Sequence, residues 1–513
     1  MFSSILTGCI SGVDAAIIHA EVDVSTGLPG FSLVGSLSSE VREARERVQV
    51  SLKNVGYHIP PNKITINLSP ADLRKEGTGY DVPIAVGLLQ SLGYFEEKST
   101  DNMLFIGELG LNGEIKSVKG ILPIVRAAAA AHISCCFVPF ENCMEGSMIS
   151  GIQVRGMKTI SQLVIYLMEE DQNVKDQILP ICSTEFSCLQ RQGQTGEKLD
   201  FSQVRGQQMA KRAAEIAAAG FHNLLMSGPP GGGKSMIAKR IPGILPEMTE
   251  QECLEVSEIY SVAGFLNEER PLILKRPFMS PHHTATYSAM VGGGSKVRPG
   301  AVSLAHRGVL FLDELPEFPR PVLECLRQPL EDRRIEIARN NGTYRFPADF
   351  MLVCAMNPCK CGFYPDKNKC TCTTAELQHY QNKISGPLLD RIDLYVETSR
   401  IDYDSLKSQV QEESTEDIRK RILLARRRQE QRFSECTYHF NGEMGVEDIE
   451  KYCVLGKEQQ MLMEMAYKKL GLSARMYHRI LKVARTIADL DGEDEIQTAH
   501  LSEALSYRMA ERK

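Results

Sequence analysis

The chain has 513 residues, 43% of them hydrophobic and 24% charged, with a net charge of −6. Its length predicts about three domains, and its composition is that of ordinary globular protein. The slight acidity excludes a molecule that binds polyanions over its whole surface, so any nucleic-acid contact must be local. No apolar run approaches the roughly 18 residues of a membrane span. The N-terminal Met1-Phe2-Ser3-Ser4-Ile5-Leu6 lacks the basic flank and long apolar core of a secretory signal. The 15 cysteines, one cluster apart, are therefore read as reduced thiols in a cytoplasmic protein.

Residues 1–170 mix short strands (15–24 and 63–68) with helices (38–54, 82–92 and 121–131), an α+β pattern. The pairing of Lys75-Glu76-Gly77-Thr78-Gly79-Tyr80-Asp81 with Gly107-Glu108-Leu109-Gly110-Leu111-Asn112-Gly113-Glu114-Ile115 resembles the proteolytic domain of Lon. The resemblance implies a nucleophilic serine in the glycine-rich turn and a lysine in the later helix. Here those places fall on Gly79 and near Ile124, which are neither nucleophile nor base. Thr78 and Lys119 stand in unmatched positions. The segment reads as a non-proteolytic Lon-like module for assembly or partner contact. Residues 171–198, polar with one proline, read as a linker.

Residues 199–400 carry the chemistry. Gly228-Pro229-Pro230-Gly231-Gly232-Gly233-Lys234-Ser235 has the form G-x-x-x-x-G-K-S. An apolar strand, Leu224-Leu225-Met226, precedes it, and a helix over 236–241, stopped by Pro242, follows. In that setting the glycines turn backbone N–H groups toward phosphates, and the helix points its positive end at them. Lys234 reaches the β- and γ-phosphates of ATP, and Ser235 holds Mg²⁺. Val309-Leu310-Phe311-Leu312-Asp313-Glu314 is a buried strand ending in two acids. Asp313 suits the Mg²⁺ shell, and Glu314 suits a base that activates water. A second buried strand, 350–356, ends at Asn357, placed between the γ-phosphate and the water. Arg391 lies beside Asp390 and Asp393, where an arginine reaches a neighbouring subunit's γ-phosphate. These motifs together predict an α/β AAA+ P-loop NTPase core, with the α+β Lon-like domain ahead of it and a C-terminal helical lid over 401–513.

Cys359, Cys361, Cys370 and Cys372 form two C-x-C pairs around a short loop and suit a tetrahedral structural Zn²⁺. Disulfides or free thiols are the alternatives. Residues 334–346 alternate about Asn341-Gly342 and read as a β-hairpin. The insert 278–300 carries His282, His283, Lys296 and Arg298. Its histidines read as structural, having no partnered cysteine or glutamate spacing. In the lid, 418–433, 456–469, 473–490 and 498–509 are helical by periodicity, with Ser473 as an N-cap. The basic runs Arg419-Lys420-Arg421 and Arg426-Arg427-Arg428 read as a solvated face rather than a DNA stripe.

A longer pattern is more specific. Pro281-His282-His283-Thr284-Ala285-Thr286, Gly292-Gly293-Gly294, the run 298–317 and Leu326-Arg327-Gln328-Pro329-Leu330-Glu331-Asp332 resemble the magnesium-chelatase-like AAA+ family of the YifB/ComM type. The likeness covers nearly the whole chain. Ala301-Val302 departs from the family's usual Pro-Gly-Glu-Ile, outside the ATPase motifs. The resemblance implies a ring, a hexamer, that moves single-stranded or branched DNA as a helicase or branch-migration motor during recombination of incoming DNA. It implies that the hairpins enter the pore, with Arg339, Arg345, Lys296 and Arg298 on phosphates. It also implies that Arg475, with Arg479 one turn on as the fallback, reaches back to the nucleotide in its own subunit. The alternatives are a protein remodeller and a chelatase-type motor. The Lon-like front and the cysteine loop, taken as absent from chelatase subunits, argue against the latter.

Overall fold

The computed structural model describes residues 1–184, 186–187, 189, 199–294, 296–339, 342–366, 368–400, 412–436 and 438–508. The front of the chain builds a seven-stranded sheet. Strands β1 (Phe2–Ser11) and β2 (Asp14–Ser25) pair antiparallel along their length. Alternation sets the face of β2: Ile18, Ala20, Val22 and Val24 point into the core. The remaining strands are β3 (Gly30–Val34), β4 (Lys63–Ser69), β5 (Met103–Phe105), β8 (Cys135–Pro139) and β9 (Gln153–Met157), in the order β3-β4-β2-β1-β5-β8-β9. A small hairpin, β6 (Glu108–Leu109) with β7 (Ile115–Lys116), stands apart. Helix Asp81–Ser91 is buried along its whole length, because Val82 to Leu89 offer no polar face.

The Lon-like turn is apolar at the places where chemistry would sit. A Cβ on Gly79 would lie 3.0 Å from Ile106 and 3.8 Å from Val118, and Ile124 is buried. Thr78 hydrogen-bonds Glu108 through its hydroxyl, while the Lys119 side chain runs across Gly264 of the next domain.

Two expectations need correction here. The stretch read as a linker is structured in its first half. Asp171 caps a helix over Gln172–Ile178, and Leu179 is fully buried. Arg155, itself buried, donates to the Leu179 carbonyl and, at 2.7 Å, to Asp176. The later part of that stretch lies outside the described residues. Not every cysteine outside the cluster is a free thiol: Cys143 and Cys182 are disulfide-bonded, which ties this segment to the front domain.

The second sheet is parallel throughout and ordered β11-β14-β17-β10-β18. Its strands are β10 (Leu224–Ser227), β11 (Phe278–Met279), β14 (Val309–Leu312), β17 (Met351–Met356) and β18 (Leu394–Glu397). Every residue of β10, β14 and β17 is buried, as a sheet covered on both faces requires. Two hairpins project from this body: β12 (Gly292–Gly293) with β13 (Arg298–Pro299), and β15 (Arg334–Arg339) with β16 (Gly342–Pro347). The turn residue Asn341 lies outside the described residues.

The lid holds helices Thr415–Arg432, Val446–Tyr452, Lys457–Leu470, Ala474–Asp491 and Thr498–Ser506. Ser473 does cap the fourth, accepting from the Met476 N–H. That helix buries Ile480, Leu481, Val483, Ala484 and Ile487 in one core with Leu224 and Met226 of β10, so lid and sheet are packed together. The basic face of Thr415–Arg432 is not simply solvated. Arg421 pairs with Glu215, Arg419 with Glu247 at 2.6 Å and Arg428 with Asp494 at 2.7 Å, and buried Arg426 stacks 4.2 Å from the centre of the Phe440 ring. Arg419 and Arg421 join the lid to the core, while Arg426 and Arg428 bond within the lid.

Candidate functional site

Strand order brings three motifs to one edge. The loop Gly228–Ser235 leaves the carboxyl end of β10, Asn357 follows β17 beside it, and Asp313-Glu314 follow β14 next along. Gly231 and Gly233 both take positive φ, +80° and +78°, which lets the loop fold back before the helix beginning at Lys234. That helix ends at Ala238, and Pro242 opens the next, Ile241–Ile244, rather than stopping the first.

Lys234 is buried, and its Nζ donates to the carbonyls of Gly228 (2.6 Å) and Pro229 (3.0 Å) and to Asn357 Oδ1 (3.2 Å). Burial lowers its pKa from the ordinary lysine value, with Asp313 pulling the other way. The Ser235 hydroxyl donates to Asp313 Oδ2 at 2.7 Å. A hydroxyl and a carboxylate in contact beside a desolvated ammonium fit a nucleoside triphosphate with its Mg²⁺. Glu314 sits at φ +53°, unusual for a side chain with a Cβ, and projects an exposed carboxylate. His283 Nδ1 stands 3.5 Å from that carboxylate. Sequence reasoning missed this histidine as part of the site. The available signal was its position just after β11, at the same carboxyl edge as the acids.

Arg391 and Arg475 are elsewhere. The Arg391 backbone carbonyl accepts from Asn223 Nδ2 at 2.9 Å, where β10 begins. The arginine therefore lies at the amino edge of the sheet, a four-residue strand of roughly 13 Å away from the phosphate loop. Arg475, at the start of helix Ala474–Asp491, lines one cleft of about 240 Å³ with Arg391, Glu331, Arg479 and Lys482. The reading of Arg475 as a contact to its own subunit's nucleotide is therefore corrected: tight lid packing holds it at the opposite edge from Lys234. In this cleft Arg391 donates to Glu331 and, at 2.6 Å, to the Pro387 carbonyl. Among the described residues Arg391 Nε and Arg479 Nη1 are buried with no hydrogen-bond acceptor. Such orphaned donors fit an anion.

The four cysteines converge, with all ligand atoms within 4.8 Å of one another. Cys359 Sγ is 3.3 Å from Cys361 and 3.8 Å from Cys370, and Cys361 is 3.5 Å from Cys370. A tetrahedral zinc–thiolate site with bonds near 2.3 Å has sulfur separations of about 3.8 Å, so the group fits that ion. The cysteine loop also rests on the phosphate loop. Gly362 has φ +84°, and a Cβ there would fall 2.7 Å from Pro230.

The four basic residues placed on the hairpins differ in their surroundings. Lys296 pairs with Glu40 of the front domain, and Arg345 with Glu336 at 3.0 Å. Arg298 is exposed. Arg339 lies against Gly293, bringing the two hairpins together.

A parallel five-stranded sheet with a phosphate loop after one strand and paired acids two strands away defines a P-loop ATPase of the AAA+ class. Comparison with known proteins fixes the family. Residues 200–406 match the profile of magnesium chelatase, subunit ChlI; residues 412–508 match that subunit's C-terminal profile; and residues 20–142 match subunit ChlI of Mg-chelatase. The chain is 41% identical to the competence protein ComM of Haemophilus influenzae over 503 residues, covering 97% of this chain and 95% of the relative. It is 40% identical to YifB of Escherichia coli over 511 residues, 99% and 97% of the two chains. A weaker likeness, 25% over 168 residues (31% of this chain and 30% of the relative), links it to Lon protease 2 of Bacillus subtilis. The chain belongs to the YifB/ComM family of magnesium-chelatase-like AAA+ ATPases. One argument from the sequence falls: since the front itself matches a ChlI profile, its presence does not separate this chain from chelatase subunits. Among the described residues no helix is long and apolar enough to cross a membrane.

Proposed function

We propose that the chain is an ATP-driven motor on DNA, working as a hexameric ring. Its units are a Lon-like front (1–170), a connecting segment (171–198), the ATPase core (199–400) and the lid (401–513). Lys234 binds the β- and γ-phosphates. Ser235 and Asp313 hold Mg²⁺, which when bound neutralises phosphate charge. Glu314 takes the proton of the attacking water, and Asn357, already bonded to Lys234, orients it. Arg391 and Arg475 serve the next subunit's nucleotide. The observation that carries this reading is their place beside each other at the amino edge of the sheet, across from the phosphate loop of their own chain. A site so divided needs a second copy to complete it.

The DNA assignment draws on the likeness to a protein named for competence and on the two basic hairpins. The test is ATP turnover with and without single-stranded DNA, together with a gel shift from branched to unbranched DNA. Stimulation and branch movement support the motor. Turnover indifferent to every DNA form would overturn it and favour a chelatase-like or protein-remodelling ATPase, the reading that the ChlI match of the front keeps in play. The cysteine loop is proposed to hold one structural Zn²⁺.

A further inference from the structure

The front domain meets the motor along a defined seam. The Gly120 N–H donates to the Ser261 carbonyl at 3.1 Å, Arg126 pairs with Glu258 at 2.6 Å, and Glu145 accepts from the Ser261 hydroxyl. Next to this seam Lys119 leaves the front domain and lies across Gly264, the residue that ends motor helix Glu250–Ala263. A Cβ on Gly264 would fall 2.4 Å from Lys119 Cε and 2.7 Å from Nζ, so the glycine leaves the lysine its channel. The lysine stays exposed and faces Arg298 and Lys296, whose charges, after partial burial, lower its proton affinity. Arg298 pairs across the β12–β13 hairpin with Gly293, against which Arg339 of the second hairpin rests. Cations from three elements are thus neighbours. Among the described residues no acid pairs with Lys119, Arg298 or Arg339, and Lys296 has one partner, Glu40 of the front domain. Like charges gathered without counter-charges repel one another, and a polyanion relieves that repulsion.

We propose that Lys119 is a phosphate-backbone contact and that the front domain extends the nucleic-acid surface of the motor hairpins, with Glu40 occupying Lys296 until a phosphate replaces it. This rests on the DNA reading above. It assigns the front domain a share in holding the strand, and it makes Glu40 a competitor for one of the contacts.

The experiment measures binding of the full chain, with a non-hydrolysable ATP analogue, to a fluorescein-labelled single-stranded oligonucleotide across a salt series. Lys119→Ala is expected to weaken binding severalfold and to flatten the slope of log K against log salt by about one. Lys119→Arg should restore both, since either cation serves a phosphate. Glu40→Gln should tighten binding, the opposite direction, which a merely structural role for this pair would not produce. Thermal melting checks that each variant is folded. If the wild type binds while Lys119→Ala keeps its affinity and salt slope, the proposal is overturned. If Glu40→Gln weakens binding, the competitor role is overturned. If the wild type itself binds no DNA, the motor reading fails first and takes this inference with it.

Discussion

In the proposed mechanism Lys234 and Glu314 divide the labour of one edge between binding and chemistry. Replacing Lys234 with alanine removes the ammonium bonded within the phosphate loop and should abolish both nucleotide binding and turnover, read by fluorescent-nucleotide titration and phosphate release. Glu314→Gln keeps the shape and removes the base. Turnover should fall on the order of a hundredfold or more while nucleotide binding survives. A variant that still hydrolyses at the wild-type rate would remove Glu314 from the mechanism. The residues of this edge were readable in the sequence because each closes a buried strand, and strand order in a parallel sheet brings such ends together. His283 was not, because its place depends on a 3.5 Å approach to Glu314 from the loop that follows a strand only two residues long. The disulfide partner of Cys143 was equally hidden, since Cys182 reaches it only through the fold of a segment that is polar in sequence.

At the scale of elements, the lid shows where periodicity suffices and where it fails. The apolar stripe of helix Ala474–Asp491 and its serine cap are local signals, so the helix was legible. Its docking is not local. His222 is wholly buried between sheet and lid, its Nε2 2.8 Å from the Thr486 hydroxyl, and burial pushes its pKa down to about 4. The unfolded chain takes that proton near 6.5, so the stabilising term is complete above that pH. It is lost as the pH falls from about 6.5 to about 4, and amounts to on the order of 3 kcal/mol. Thermal melts should therefore show the melting temperature dropping over that window, with a flatter profile in His222→Gln. An equal slope in the two proteins would exclude this histidine as the source. The cysteine loop is the second such element. Purified protein should carry about one zinc per chain, and chelation should loosen nucleotide binding because Gly362 rests on Pro230 of the phosphate loop. Retained affinity in metal-free protein would show the loop to be independent of that site.

On the scale of the whole molecule, the sequence pattern reads as an α+β front, an α/β core and a helical lid, and it carries no sign of how they lean on one another. The seam between front and motor is made of an ion pair, a backbone bond and side-chain hydrogen bonds between residues more than a hundred positions apart, such as the Ser261 hydroxyl donating to Glu145, and no periodicity announces them. The basic helix Thr415–Arg432 is the same lesson in reverse: a run that reads as a free face gives two of its arginines, Arg419 and Arg421, to pairing with the core.

The separation of Arg391 and Arg475 from their own phosphate loop has a consequence for mixtures of chains. A Lys234→Ala subunit retains good arginines, and an Arg391→Ala subunit retains a good loop. Each preparation alone should be dead. Mixed in equal parts and allowed to exchange, they should recover about a quarter of the wild-type ATPase, the share of interfaces that unite one intact half from each. No recovery after verified exchange would show that the arginines do not act across the interface, and an active Arg391→Ala preparation would place Arg391 outside catalysis. In a cell holding two alleles, the damage from an Arg391 substitution would then appear in the neighbour's pocket rather than in the chain that carries it, so each variant subunit would silence a site whose own residues are all wild type.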